Sequence, residues 1–381
     1  MSASASLSFH AGMADFDAAA WNALAGDYPF LRHEFLDALE TSGCVRAATG
    51  WTPRHLRLGE AAQPLALAPL YEKSHSWGEF VFDFAWARAW EGRGMAYYPK
   101  LLLAIPFTPA TGPRLLCAGA DEPSGAAHRL AVLRGLEQDA QRRGRSSVHA
   151  LFIDDALRAA AQEAGWLLRR DCHFQWQNRA YGDFEDFLAT FSADKRKKVR
   201  RERRRIVEQG IEFTTRTGAE LDGATLRRLH DLHAATFVRH GHLPYLNAEF
   251  FRLIAASMGD AFIAVLALLA GEIVATALYF RSGSALYGRY WGAIGDFHSL
   301  HFEACYYQGI DYCIRHGLQH FEPGTQGEHK LARGFEPVFT WSAHWLADRS
   351  LRTAVARYLE REAVAVTEYA DAAARHTPFR A

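Results

Sequence analysis

Apolar and polar positions follow two successive series of short segments along the chain. In the first series, their spacing predicts strands at residues 7–10, 55–59, 64–71, 101–107, 148–154 and 169–178, and helices at 16–24, 33–41, 126–143 and 156–165. From residue 183 the pattern begins again, with helices at 183–209, 224–240, 302–316, 328–333 and 351–373 and strands at 211–216, 261–270, 273–281, 285–291, 318–322 and 340–346. This alternation predicts an α/β protein with mixed sheets covered by helices.

Each half of the chain has the same order of elements: helices, then a hairpin, then strand–helix–strand. A length of 381 residues suits two domains better than one core. The repeated order therefore predicts duplicated domains, residues 1–180 and 181–381, with the seam near Tyr181 and Gly182.

Composition narrows the functional classes. Lys and Arg together equal Asp and Glu, 43 of each, so no overall charge draws the protein to nucleic acid or acidic membranes. The five cysteines are scattered without a CxxC pair, which favours reduced thiols in the cytoplasm. The first thirty residues lack a basic flank before an apolar run, so no signal peptide is expected. The most apolar stretch, residues 261–270, is too short to cross a bilayer.

Several long strings carry a family resemblance. They are FSADKRKKVRRERRRIVEQGIEF (191–213), HSWGEF (75–80), YYPKLLLAIPFTPATGPRLL (97–116), LYGRYWG (286–292), HFEACYYQGID (301–311) and QGEHKLARGFEP (326–337). The chain resembles the FemAB-like proteins, a family described by peptidoglycan biosynthesis or recognition, within the GNAT acyltransferase superfamily. The resemblance covers nearly the whole chain.

The resemblance implies tandem GNAT-like (acyl-CoA N-acyltransferase) domains and transfer of an acyl or aminoacyl group to an amine. It implies acyl-CoA or aminoacyl-tRNA as the donor and a phosphate-bearing or peptide acceptor, such as a peptidoglycan precursor. No tightly bound cofactor is implied, and no oligomeric state. The loop at residues 292–301 lacks the Q/RxxGxG/A pattern by which acetyl-CoA-using GNAT enzymes hold pyrophosphate.

A basic helix is predicted over residues 194–209. Nine of the eleven residues from Lys195 to Arg205 are basic, too many to be neutralised within one helix. Arginine favours bidentate contacts with phosphate, so Arg200, Arg201 and Arg204 are predicted to hold a phosphate-rich substrate or tRNA. The alternative is a solvated helix whose charges pair with nearby acidic side chains.

The segment QGEHK (326–330) is the predicted reaction centre. Transfer to an amine needs a proton acceptor and stabilisation of a developing oxyanion. Glu328 or His329 suits the first role, and Lys330 the second. A capped helix would explain the same residues without chemistry.

Other candidate residues surround this segment. Glu303 is a further catalytic candidate, at the start of an apolar helix whose amides favour anions. Predicted substrate-binding residues are Arg289, Tyr290, His301, Glu322, Gln326 and Arg333, together with His75 and Lys100 in the first half.

Two other functional classes stay open at this stage. One is a non-catalytic recognition protein that binds a cell-wall precursor or RNA through the basic helix. The other is a metal-dependent hydrolase, which the sequence disfavours, because no histidine falls in an HExxH or Cys/His ligand spacing.

Overall fold

The computed structural model describes residues 6–239, 241–325 and 327–380. Its strands are β1 (Leu7–His10), β2 (Trp51–Pro53), β3 (His55–Gly59), β4 (Pro64–Ala68), β5 (Leu70–Lys73), β6 (Lys100–Leu103), β7 (Leu116–Cys117), β8 (Ser147–Leu151), β9 (Leu167–Gln177), β10 (Ile211–Thr217), β11 (Phe262–Leu269), β12 (Glu272–Arg281), β13 (Ala285–Ala293), β14 (His320–Glu322) and β15 (Glu336–Leu346). The α-helices are α1 (Ala18–Ala25), α2 (His33–Thr41), α3 (Phe84–Glu91), α4 (Pro123–Arg142), α5 (Asp155–Glu163), α6 (Phe184–Ala189), α7 (Ala193–Glu208), α8 (Gly223–Arg239), α9 (Ala248–Ser257), α10 (Leu300–Phe302), α11 (Gln308–His316) and α12 (Arg349–Ala374).

The chain forms two compact units. The first contains the residues up to Asp171 together with Phe339–Thr367, and the second contains Cys172–Val338 and the residues from Glu368 onward. These units are defined by their internal contacts, whereas the predicted domains are copies of one fold. The division into copies at residues 1–180 and 181–381 therefore stays a prediction.

The first unit contains two sheets. One has the order β1-β3-β4-β7, and the other runs β2-β5-β6-β8 and continues with the Phe339–Leu346 part of β15. Strands β6 and β8 are parallel, and the remaining neighbours in both sheets are antiparallel. A core of apolar side chains from the strands packs against α4 and α5.

The second unit has one sheet in the order β10-β11-β12-β13-β14, followed by the Cys172–Gln177 part of β9. Only the β13–β14 pair is parallel among the strands described in this unit. Its core combines aromatic residues of α6 with strand residues and with α11.

A π-helical turn, Glu303–Tyr307, joins α10 to α11. In such a turn one extra residue is inserted into the helix, and these turns occur frequently at functional sites. The sequence predicts a single regular helix over 302–316, and this prediction is wrong in its first turn. Within this turn the carbonyl of Ala304 accepts a hydrogen bond from the hydroxyl of Tyr279.

The predicted helix at 183–209 is also two helices. The chain leaves α6 after Ala189 and re-enters a helix at Ala193. Between them Phe191 forms a bridge with Phe379, and its carbonyl accepts a hydrogen bond from Arg380 at 3.1 Å. The interruption therefore depends on residues almost two hundred positions away.

Helix α9 was not predicted. Its N-cap is Asn247, whose side chain accepts a hydrogen bond from the backbone of Phe250 at 3.0 Å. This capping residue followed by apolar positions is a recognisable helix start.

Candidate functional site

Strand β13 of the second unit extends beyond its parallel partner β14. The parallel pairing of β13 with β14 covers three positions and ends at Tyr287 and Glu322. Strand β14 stops there, whereas β13 continues to Ala293. Ligands of open α/β sheets bind beyond the carboxyl ends of the strands, and the end of β14 is such a position.

Imidazole and aromatic rings gather near this position. The ring of His301 lies 5.3 Å from Trp291 and 5.3 Å from Tyr306, measured between centroids. The ring of His329 lies 5.6 Å from Phe302, 5.6 Å from Tyr306 and 6.1 Å from His301. The structure thus brings together two predicted residues, His301 and His329, that are 28 positions apart.

His329 is the exposed member of this cluster. Its Nε2 shares a hydrogen bond of 2.8 Å with the hydroxyl of Tyr306. Burial lowers the pKa of His329, and the charges of Arg333 and Lys330 lower it further. Burial, with the neighbouring His329, also lowers the pKa of His301 to about 4. Both imidazoles are therefore neutral at physiological pH, and a neutral imidazole can accept a proton.

Lys330 lies beneath this cluster rather than on its surface. The residue is 1% exposed, and its Nζ donates to the carbonyl of Gly324 at 2.5 Å. Burial lowers the pKa of Lys330 to about 7, which the neighbouring Cys305 opposes.

Two ion pairs with buried carboxylates join the inner face of α7 to this region. In the first, Arg333 donates to both oxygens of Glu202 at 2.8 and 2.9 Å, and Tyr307 donates to the same carboxylate at 2.5 Å. The Arg333 guanidinium also lies 3.4 Å from the ring centre of Phe302. Arg333, a predicted substrate-binding residue, thus has its guanidinium engaged within the protein.

Glu303 forms the second ion pair. Its carboxylate accepts from Arg203 at 3.1 Å and from Gln308 at 2.8 Å, and the residue is 3% exposed. The second ion pair thus joins α7 to the π turn that carries Tyr306, and the first joins α7 to the turn that carries His329.

A pocket of about 610 Å³ lies beside the second ion pair. Its walls combine apolar side chains with cationic and polar ones: Arg203, Arg204, Ile206, Val207, Gly210, Ile211, Glu212, Phe213, Glu303 and Gln308. Two predicted site residues, Arg204 and Glu303, therefore line the same pocket.

The outer face of α7 carries the predicted phosphate-binding arginines. Arg200, Arg201 and Arg204 are all exposed. Arg200 pairs with Glu185 at 2.5 Å, and Arg204 pairs with Glu208 at 3.4 Å. These pairs are the ones expected of a solvated helix, but exposed ion pairs of this kind contribute little to stability.

The remaining predicted residues of this half are dispersed. Arg289 lies at a β-bulge of β13, where the register with β12 shifts, and its guanidinium is 5.5 Å from the ring centre of Tyr290. Tyr290 packs against the ring of His233 at 5.1 Å. Glu322 accepts from Gln175 at 3.2 Å, Glu328 is exposed, and Gln326 lies outside the described residues.

His75 and Lys100 belong to the first unit. Lys100 is fully buried, and its Nζ donates to Asp83 at 2.5 Å, Glu79 at 2.8 Å and Ser76 at 2.9 Å. His75 is half-buried, and its Nδ1 accepts from the backbone of Trp77 at 3.2 Å.

Sequence reasoning missed Tyr306, Glu202 and Arg203. Tyr306 lies within an apolar helix pattern, which gives no sign that its hydroxyl bonds to His329 from a π turn. Glu202 had a signal, because it is one of two interruptions in the basic run. An acid inside such a run is a candidate partner for a distant cation.

Metal ligands and membrane spans are both absent from the described residues. Across 6–239, 241–325 and 327–380, no three His, Cys, Asp or Glu side chains form a group suited to holding a metal ion. Within the same ranges, no helix combines the length and the apolar character that crossing a bilayer requires.

The sequence and the fold both have known relatives. A model of the FemAB-like family, described as peptidoglycan biosynthesis/recognition, matches residues 12–381. The crystal structure of FemX matches at 12% identity and a TM-score of 0.50, covering 83% of this chain and 93% of that chain. No match was found among curated protein sequences.

Two other solved structures are similar. L-PGS from Bacillus licheniformis matches at 12% identity and a TM-score of 0.51, covering 86% of this chain and 96% of that chain. A tandem GNAT protein from the clavulanic acid biosynthesis pathway matches at 12% identity and a TM-score of 0.46, covering 90% of this chain and 98% of that chain. The fold is the mixed α/β architecture of tandem GNAT proteins, as the sequence predicts.

Proposed function

This chain belongs to the FemAB-like family, and from that premise we propose that it transfers an acyl or aminoacyl group from an activated donor to an amine. The observation that supports this proposal most is the exposed imidazole of His329, which shares a hydrogen bond with Tyr306 beyond the carboxyl end of β14. Attack by an amine requires a neutral base close to the reacting nitrogen.

His329 is the proposed base. Burial, together with the charges of Arg333 and Lys330, lowers its pKa and keeps it unprotonated, and the Tyr306 hydroxyl fixes its ring. Glu328, exposed in the same turn, is the alternative base. Lys330 is assigned to stabilising negative charge through its field, because its Nζ is buried and donates to Gly324.

The exposed arginines of α7 and the description of the family suggest the donor and the acceptor. Arg200, Arg201 and Arg204 would bind phosphates of aminoacyl-tRNA, of an acyl-CoA or of a nucleotide-linked peptidoglycan precursor. The description of the family by peptidoglycan biosynthesis and recognition favours a peptidoglycan precursor as the acceptor.

The test begins with purified protein and a matrix of donors and acceptors. Acyl-CoAs and aminoacyl-tRNA are each combined with nucleotide-linked cell-wall precursors, and mass spectrometry detects the mass of a transferred group. A thermal-shift screen of the same compounds identifies those that bind, because a ligand of the folded state raises the melting temperature with its concentration.

Replacement of the base then tests the site itself. His329→Gln should lower kcat by about 10²- to 10⁴-fold, the usual contribution of a general base. His376→Gln, at an exposed position of the same unit, serves as the control and should retain wild-type turnover. Wild-type turnover in His329→Gln and in the triple Glu328/His329/Lys330→Ala variant would refute the site.

The pH profile gives a second readout of the same residue. Only neutral His329 can accept a proton, so kcat/KM should fall as pH decreases through its pKa. Because that pKa is lowered, the acid limb should lie below the ordinary histidine value of 6.5. The limb should disappear in any His329 variant with measurable residual activity.

A recognition protein without catalysis is the second candidate. The exposed arginines of α7 favour it, because they suit binding to phosphates as well as positioning for reaction. Saturable binding of a precursor or tRNA, steeply weakened by salt and without any product, would support this function over the transferase.

A further inference from the structure

The loop between β5 and α3, residues 74–83, lies beside two buried lysines of the first unit. Lys73 on β5 lies directly opposite Lys100 on β6, and both side chains are fully buried. Like charges at directly opposite positions destabilise a sheet. This lysine pair therefore needs anions close to it.

Asp83 supplies one fixed anion. It accepts from Lys100 at 2.5 Å, from Tyr97 at 2.6 Å and from Ser76 at 2.5 Å. It directly precedes α3, whose Trp86 and Trp90 are buried in a core cluster. Several contacts on different elements thus hold this carboxylate in place.

Glu79 supplies the other anion and is held far less firmly. Its Oε2 accepts from Lys100 at 2.8 Å, but its Oε1 has no hydrogen-bond partner in the described part of the chain, although the residue is 4% exposed. A buried oxygen without a partner loses its hydration without compensation. Burial accordingly raises the pKa of Glu79 to about 7.

Lys73 is incompletely satisfied as well. Its Nζ donates to the backbone carbonyl of Trp77 at 3.2 Å and lies 3.7 Å from the ring centre of Trp51. No carboxylate lies within ion-pair distance of it among the residues that the structure describes. Replacing a buried ion-pair network by apolar side chains is often neutral or stabilising, so buried charges of this kind are weak evidence for a role in stability.

The loop that carries Glu79 has no helix or strand of its own. Its outer side exposes two large aromatic side chains, Trp77 at 53% and Phe82 at 56%. Displacement of Glu79 would therefore break one ion pair without disrupting regular structure.

We propose that Lys73 and Lys100 form an anion-binding site in the first unit, and that Glu79 is a built-in counter-ion which a ligand's phosphate or carboxylate group displaces. Such a group offers acceptors to both ammonium groups at once, which Glu79 does not. The site is separate from the transferase chemistry proposed above and does not depend on it.

Inorganic phosphate and acetate are the probes, titrated by calorimetry with chloride at equal ionic strength as the blank. Glu79→Gln keeps the shape of the side chain and a hydrogen-bond acceptor for Lys100 but removes the competing charge. We expect it to bind phosphate or acetate about tenfold more tightly than the wild type, a change of about 1.4 kcal/mol. Glu91→Gln, which removes an exposed acid from α3, is the matched control and should bind like the wild type.

Hydrogen exchange of the wild type keeps the test decisive if a variant fails to fold. Saturating phosphate or acetate should speed exchange of the amides at 74–82 and leave those of α3 unchanged. Equal affinities in Glu79→Gln and Glu91→Gln would overturn the proposal. So would unaltered exchange at 74–82 in the wild type with both anions.

Discussion

In the second unit, whether a side chain is buried determines whether it can contact a substrate. His329 and Lys330 are adjacent in the sequence, yet His329 is exposed whereas Lys330 is only 1% exposed. The sequence identifies the polar segment, but residue type cannot tell which neighbour faces solvent. It likewise cannot show that Arg333 is engaged by Glu202, because that partner is 131 positions away.

Lys330 makes the stability of the protein depend on pH. Its pKa is about 7 in the folded state and returns to the ordinary value of 10.5 on unfolding. Between these values the unfolded chain binds more protons, so the free energy of unfolding should rise with pH. Denaturant titrations between about pH 7 and 8.5 should show a slope that Lys330→Met reduces by up to about 1.4 kcal/mol per pH unit. Identical slopes in the two proteins would contradict the buried position of the amine.

The ion pair of Glu202 and Arg333 should contribute far more than an exposed one. Glu202→Ala leaves the Arg333 charge buried without its carboxylate, and breaking a buried pair costs about 3–5 kcal/mol. Glu208→Ala removes the exposed partner of Arg204 on the same helix and should change stability little. Urea denaturation of both variants measures the difference, and equal losses would refute the assignment.

At the scale of elements, the spacing of apolar positions predicts those helices and strands whose formation depends on the local sequence. Strands β10 to β13 and helices α4, α5, α8 and α12 form close to the predicted positions. The errors arise where distant residues intervene, as at Phe191 between α6 and α7. The π turn is a further case, since a helical pattern does not reveal one inserted residue.

The contact between α8 and β13 gives a test of packing between elements. A Cβ on Gly292 would lie 2.2 Å from the backbone carbonyl of Leu232 and 2.6 Å from the nitrogen of His233. Backbone atoms cannot move aside as a flexible side chain can, so Gly292→Ala should destabilise the protein by about 3 kcal/mol. Gly182→Ala is the control, because its nearest neighbour would be 3.9 Å away. Thermal denaturation of both variants checks the prediction, and similar melting temperatures would contradict it.

For the whole molecule, the tandem fold is predicted by the long sequence strings that resemble the FemAB-like family, and not by the spacing of apolar positions. Periodicity alone indicates mixed α/β structure, and the strings add the tandem GNAT architecture that the solved structures support. The site was predicted in part: residues 301 and 329 meet, whereas the arrangement of Lys330, Arg333 and Glu303 depends on contacts that no short motif encodes.

Net charge conceals a strongly uneven distribution. The protein is neutral overall, yet nine cations lie within eleven residues of α7. If Arg200, Arg201 and Arg204 each contact a phosphate of tRNA, their replacement by Ala should make the slope of log K against log salt less negative by about 2. Filter binding at several salt concentrations measures the slope. Arg134, Arg142 and Arg357, replaced together, remove the same charge elsewhere and should leave the slope unchanged.

The π turn at Glu303–Tyr307 also determines how far α10 is rotated about the helix axis relative to α11. Deleting one residue there would restore a regular helix, but everything before the deletion would rotate by about 100° around the axis. His301 and Phe302 would then swing away from His329 while α11 kept its place in the core. The inserted residue thus sets the direction of the side chains on α10 without changing how α11 packs in the core.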